Sequence, residues 1–77
     1  MDKKREEQYI QIGLNIAYFR KFRGMTQLQL AEAVNLSRTH ISNIEAPNMV
    51  TSLSLEKLLD IADALDVTPS ELLVFRR

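Results

Sequence analysis

Residues 25–46 read MTQLQLAEAVNLSRTHISNIEA, and this stretch decides the fold. Thr26 and Ser37 each sit where a helix can start, because a side-chain oxygen there accepts from an otherwise unpartnered N–H of the first turn. Each is preceded by an apolar residue and matched by another four helical positions in, Met25 with Leu30 and Leu36 with Ile41. That pairing is the hydrophobic staple. Thr26 with Gln29 adds a capping box. Between the two helices lies a tight turn at Val34–Leu36, where Asn35 tolerates the left-handed conformation better than most residues. Ala31 is small where the helices cross closely. In the second helix Ile41 and Ile44 face inward, and Arg38, Thr39, Ser42 and Asn43 share the other face.

The same punctuation recurs further along the chain. Ser54 is flanked by Leu53 and Leu58, and Thr68 by Val67 and Leu72. Thr68 also pairs with Glu71 as a capping box, and Pro69 takes the first helical position. Four starts in register predict helices from about residues 27, 38, 55 and 69. A further helix precedes Gly24, with Ile12, Ile16, Phe19 and Arg23 at the spacing of one face. Gly24 ends it as a left-handed residue. Residues 1–7 read as a charged, frayed leader. Ala46–Leu53 contains Pro47, lacks periodicity and reads as a loop. No strand pattern, internal repeat or low-complexity tract is present. The expectation is an all-α, five-helix fold with a helix-turn-helix at helices 2 and 3, occupying residues 1–77 as one domain.

Composition narrows the chemistry. Apolar residues form 45% of the 77, enough for a packed core in a chain whose stability margin is thin. With no cysteine, disulfides and thiolate metal sites are excluded. His40 alone cannot build a zinc site. No metal triad, Gly-rich phosphate loop or Ser/His/Asp set is visible, so neither an enzyme nor a cofactor is expected. No apolar run approaches the roughly 20 residues of a membrane span, and the N-terminal residues lack the apolar core of a signal peptide, so a cytoplasmic location is expected. The formal charge is zero but unevenly spread. From Gln8 to Ile44, Arg20, Lys21, Arg23 and Arg38 stand against Glu32 alone. From Glu45 to Phe75, Lys57 stands against Glu45, Glu56, Asp60, Asp63, Asp66 and Glu71. One part of the molecule can therefore face phosphates while the other faces water or a partner.

The outward side chains of the second motif helix suit the major groove: arginine pairs with guanine, asparagine with adenine, and a threonine methyl packs on thymine. Residues 25–34 and 36–45 resemble the two motif helices of the lambdoid phage repressor/Cro-type helix-turn-helix family. Residues 55–65 and 68–73 are similar to its last two helices. The resemblance spans about residues 12 to 75. It implies a five-helix fold, sequence-specific binding of double-stranded DNA at a palindromic operator, homodimerisation and transcriptional control in a prokaryotic setting. Two positions depart from the family pattern. Asn35 replaces a usual turn glycine, and Ala46-Pro47-Asn48 replaces a Gly-containing turn after the recognition helix.

The resemblance also assigns roles. Gln27 matches a glutamine that binds phosphate at a helix start. Arg38, Thr39 and Asn43 are the leading base or phosphate contacts, with Ser37, His40 and Ser42 secondary. Arg20 and Glu45 match a family ion pair that clamps helix 1 to helix 3, which leaves Lys21 and Arg23 as phosphate candidates. Leu72, Leu73, Val74 and Phe75 are too apolar for a wholly exposed terminal helix, so some fill the core, and Leu59, Leu73, Val74 and Phe75 are the candidate dimer contacts. Lys57, Arg76 and Arg77 are placed to offset acidic repulsion across that interface. Tyr18 and Phe22 flank the core stripe and have two open roles, meeting a second subunit or packing under the leader. Two alternatives share the fold: an antitoxin bound to a toxin protein, and a restriction–modification controller.

Overall fold

In the computed structural model, which describes residues 2–76, the helices start where the sequence supplies an oxygen for their first free N–H groups. In chain order they are α1 (Lys3–Phe22), α2 (Gln27–Val34), α3 (Arg38–Glu45), α4 (Leu55–Leu65) and α5 (Pro69–Leu72). Thr26 Oγ1 accepts from the Gln29 N–H at 3.0 Å, while Gln29 Oε1 accepts from the Thr26 N–H at 2.8 Å. Ser37 Oγ accepts from His40 N–H at 3.0 Å and Ser54 Oγ from Lys57 N–H at 3.1 Å. At Thr68 the arrangement differs: Glu71 Oε1 accepts from both the Thr68 N–H and its hydroxyl. The staples also form. Met25, Leu36, Leu53 and Val67 are half-buried against the core, and Leu30, Ile41, Leu58 and Leu72 are inside it.

Residues 3–7, read from the sequence as a frayed leader, are helical. Asp2 caps α1 by accepting the Arg5 N–H at 2.9 Å, and Glu6 lies in the first turn, where the helix dipole favours an anion. Residues 3–7 are therefore the opening of a 20-residue helix. A straight helix cannot fold back over its own middle, so Tyr18 and Phe22 are uncovered. Their rings stack with centroids 6.4 Å apart, and the Arg23 guanidinium carbon lies 5.3 Å from the Phe22 centroid.

Three connections share one construction. Gly24, Asn35 and Asp66 are left-handed, with φ of 71°, 58° and 56°. At each, the following apolar residue donates its N–H back into the finished helix: Met25 to Arg20 O, Leu36 to Ala31 O and Val67 to Ala62 O, at 2.9–3.0 Å. This is the Schellman closure. The apolar residue that closes one helix is also the staple residue opening the next, so Gly24-Met25-Thr26, Asn35-Leu36-Ser37 and Asp66-Val67-Thr68 each stop, anchor and restart the chain. Asp66 was not foreseen in this role.

The core joins Ile16, Leu30, Ala31, Val34, Ile41, Ile44, Leu58, Ile61, Ala62, Leu65 and Leu72. α1 approaches α3 closely at Gly13, where a Cβ would collide with the Ile44 carbonyl oxygen. Polar clamps complete the assembly. Asn15 is buried in α1 and uses both ends of its amide. Its Nδ2 donates to Leu72 O at 3.0 Å and Val74 O at 2.8 Å, and its Oδ1 accepts from Gln11 and Arg76. The segment after α5 is thereby laid along α1. Lys57 Nζ donates to Val34 O at 2.8 Å, closing the end of α2.

Arg23, a phosphate candidate from the sequence, also has partners inside the fold. Its Nε donates to Leu65 O at 2.8 Å and its Nη2 to Asp66 O at 2.9 Å. A cation here satisfies the last carbonyls of α4 and the negative end of its dipole, so the guanidinium is engaged within the fold. Arg23→Ala should lower the melting temperature by several degrees, about 1 kcal/mol, and leave the salt dependence of DNA binding unchanged. A shallower salt slope in titrations of that variant would restore Arg23 as a phosphate contact.

Candidate nucleic-acid interface

The motif is built from two eight-residue helices. Ala31, 1% exposed, lets them cross closely. The left-handed Asn35 turns the chain between them at the cost of one permissive residue. Ile41 and Ile44 fix the rotation of α3 by burying one face. That rotation leaves Arg38 and Thr39 exposed, with Ser42 and Asn43 half-buried beside them. The four make one surface. Ser37 is exposed and occupied as the cap of α3. His40 is half-buried and lies one turn before Asn43, at the edge of the same surface.

The beginning of α2 lies beside the end of α3. Gln27 Nε2 donates to Glu45 Oε1 at 3.0 Å. Arg20, from α1, donates through Nε to Glu45 Oε2 at 2.7 Å and through Nη2 to Oε1 at 3.0 Å. Its Nη1 donates to Met25 O at 2.7 Å. Arg20 and Glu45 are each 8% exposed. The pair thus ties α1, the α1–α2 turn and α3 together, as the sequence reading expected of these two residues. Lys21 is exposed at the end of α1. With Arg20 paired and buried, Lys21, Arg23 and Arg38 are the exposed cations of the basic stretch, Arg23 being also held to the end of α4.

Two features near the motif were not read from sequence. The loop after α3 folds back on it, with Thr51 Oγ1 donating to Asn43 O at 3.2 Å, and Met49 and Val50 are exposed beside it. An apolar loop residue carries no periodic signal, so only its tertiary position draws notice.

The candidate dimer contacts lie elsewhere. Leu59, Leu73, Val74 and Phe75 are each between 42% and 45% exposed, whereas Leu72 is wholly buried. Leu73 and Phe75 line a groove of about 330 Å³ with Tyr9, Ile12, Leu53, Leu55 and Leu58. Leu55 is 69% exposed and was not singled out beforehand. Lys57 is held by Val34 O and lies 3.6 Å from Asp60, and Arg76 donates to Asn15. Both cations are thus held in place on their own subunit. Arg77 lies outside the described residues.

A capped helix pair with a permissive turn, an inward stripe on the second helix and a polar outer face define a helix-turn-helix module. A sequence model of the helix-turn-helix family matches residues 16–72. The chain belongs to that family, of the phage repressor/Cro type. It is 42% identical over 59 residues to the immunity repressor protein of Bacillus phage phi105, a match covering 77% of this chain and 40% of that repressor. The chain therefore spans about two fifths of that relative's length.

Solved structures agree on the fold. The clp gene regulator ClgR from Corynebacterium glutamicum superposes with a TM-score of 0.80 at 27% identity, over 86% of this chain and 68% of that one. The restriction–modification controller protein C.AhdI from Aeromonas hydrophila gives 0.77 at 29% identity, over 84% and 91%. The biofilm master regulator SinR, solved in complex with DNA, gives 0.74 at 33% identity, over 82% and 98%. No helix among the described residues is long and apolar enough to cross a membrane.

Proposed function

We propose that this chain is a cytoplasmic, sequence-specific DNA-binding regulator of transcription, with α3 in the major groove and residues 1–77 acting as one domain. The observation that carries the reading is the orientation of α3: its apolar stripe is buried, and Arg38, Thr39, Ser42 and Asn43 form its outer surface. In this reading Arg38 and Asn43 read base edges, Thr39 and Ser42 add contacts, and Gln27, Lys21 and Ser37 anchor phosphates. His40 stands at the margin. No catalytic step or cofactor belongs to it.

Arg38→Ala and Asn43→Ala should each weaken binding to the operator by about 1–3 kcal/mol while leaving the fold intact. Gln27→Ala should weaken operator and scrambled duplex alike. Titration of each variant against both duplexes checks this, and unchanged operator affinity for Arg38→Ala would refute the assignment.

The reading includes a symmetric homodimer. One recognition helix contacts too few bases to locate a site in a genome. Two copies related by a twofold axis place their helices about 34 Å apart, one turn of DNA. The molecule's extents of 31 × 23 × 21 Å suit that spacing for subunits side by side. Leu59, Leu73, Val74 and Phe75 supply the apolar surface, away from α3. Phe75→Asp should convert dimer to monomer in sedimentation at micromolar concentration. A wild-type monomer there would exclude a stable free dimer, and a Phe75→Asp dimer would move the interface elsewhere.

The likeness to C.AhdI supports a restriction–modification controller as the second reading. A methylase or nuclease frame beside the gene would favour it.

A further inference from the structure

Glu45 is buried with both carboxylate oxygens occupied, and one of its three hydrogen bonds goes to a residue with no part in the clamp between α1 and α3. Oε2 accepts from Arg20 Nε, and Oε1 accepts from Arg20 Nη2 and from Gln27 Nε2. Gln27 is the first residue of α2. The Thr26 cap there takes the Gln29 N–H, so the first-turn N–H groups of Gln27 and Leu28 have no helical partner. The Gln27 amide is planar. Once one of its N–H bonds is fixed on Glu45, the directions of the other N–H and of the carbonyl follow.

A half-buried glutamine held in this way has given up rotamer freedom before any ligand arrives. An untethered glutamine would lose roughly 1.5–2 kcal/mol on being ordered. A carboxylate would normally be a poor neighbour for a phosphate, because like charges repel. Here the Arg20 fork lies on both oxygens, cancelling the charge while leaving the acceptor geometry.

We infer that Glu45 is a positioning residue for DNA binding: it holds the Gln27 amide toward the backbone phosphate at the start of α2, and Arg20 neutralises it so that it does not repel that phosphate. The last residue of the reading helix then sets the phosphate anchor, and α3 cannot shift without carrying the anchor along. This rests on the reading of Gln27 as a phosphate contact.

The test uses the tightest-binding duplex selected from a random-sequence library, with wild type, Gln27→Ala, Glu45→Gln and the double variant. Glu45→Gln replaces one oxygen by an NH₂ group, which cannot accept the Arg20 fork and Gln27 together. Each single change should weaken binding about fivefold to tenfold, the size of one hydrogen bond. The double variant should bind no more weakly than the weaker single. Multiplying losses would overturn the positioning role. Gln27→Ala binding like wild type would instead remove the phosphate contact itself. The ¹⁵N relaxation of the Gln27 side-chain amide in free wild-type protein gives a second readout that does not depend on the variant folding. A rigid amide is expected, and a freely averaging one would overturn the inference.

Discussion

Gly13→Ala should lower the melting temperature by more than ten degrees, although alanine is the better helix former. The helical gain is about 1 kcal/mol. Against it stands the Ile44 carbonyl oxygen, into which the new methyl group would project. A backbone carbonyl inside α3 cannot rotate aside as a side-chain tip can. α1 must lift from α3, and the loosened contact runs through Ile16, Ile41 and Ile44. Overpacking costs about 1–3 kcal/mol and occasionally more. A collision with backbone belongs beyond that range, so about 3 kcal/mol remains after the helical gain, in a domain whose stability is roughly 4–12 kcal/mol for its length. Gly24→Ala provides the comparison. Gly24 has a φ of +71° but open space around a Cβ, so only the left-handed strain of about 1–2 kcal/mol applies. Calorimetry should rank Gly13→Ala well below Gly24→Ala. A Gly13→Ala protein melting within two or three degrees of wild type would show that the crossing relaxes freely.

The second large effect is at the buried ion pair. Arg20→Ala leaves the Glu45 carboxylate in a nearly closed site with only Gln27 to meet it, and Glu45→Ala leaves the guanidinium with only Met25 O. Removing one partner of a buried pair typically costs about 3–5 kcal/mol. The double alanine variant should lose less than the sum of the singles, because no buried charge is stranded. Lys21→Ala, at an exposed position, should melt close to wild type. Thermal melts of the four variants read this directly. If Arg20→Ala melts like wild type, the pair adds nothing to the fold.

The helix starts were legible because caps and staples are local. Each needs residues within five positions of one another, and the physics that selects Thr26, Ser37, Ser54 and Thr68 acts before the chain is compact. Asp2 illustrates how such a signal is missed. It caps α1 by the same chemistry, but no apolar staple accompanies it, and the charged residues after it resemble a tail. Asp66 adopts the left-handed turn as Asn35 does, yet aspartate is common enough that nothing marked it in advance.

By itself, then, the sequence determined where α2 to α5 begin, which face of α3 is apolar, and hence which side chains lie outside. These follow from hydrogen bonding and periodicity along one segment. Only the tertiary structure decided the use of the long polar side chains and the glycine. Arg20 in the last turn of α1 and Arg23 at its C-cap carry the same charge, yet one meets a carboxylate of α3 and the other the carbonyls ending α4. Asn15 meets the chain after α5, and Gly13 meets the backbone of α3. Those partners are distant in sequence and are set by how helices cross. Crossing depends on the packing of whole faces, and no local run of residues encodes it.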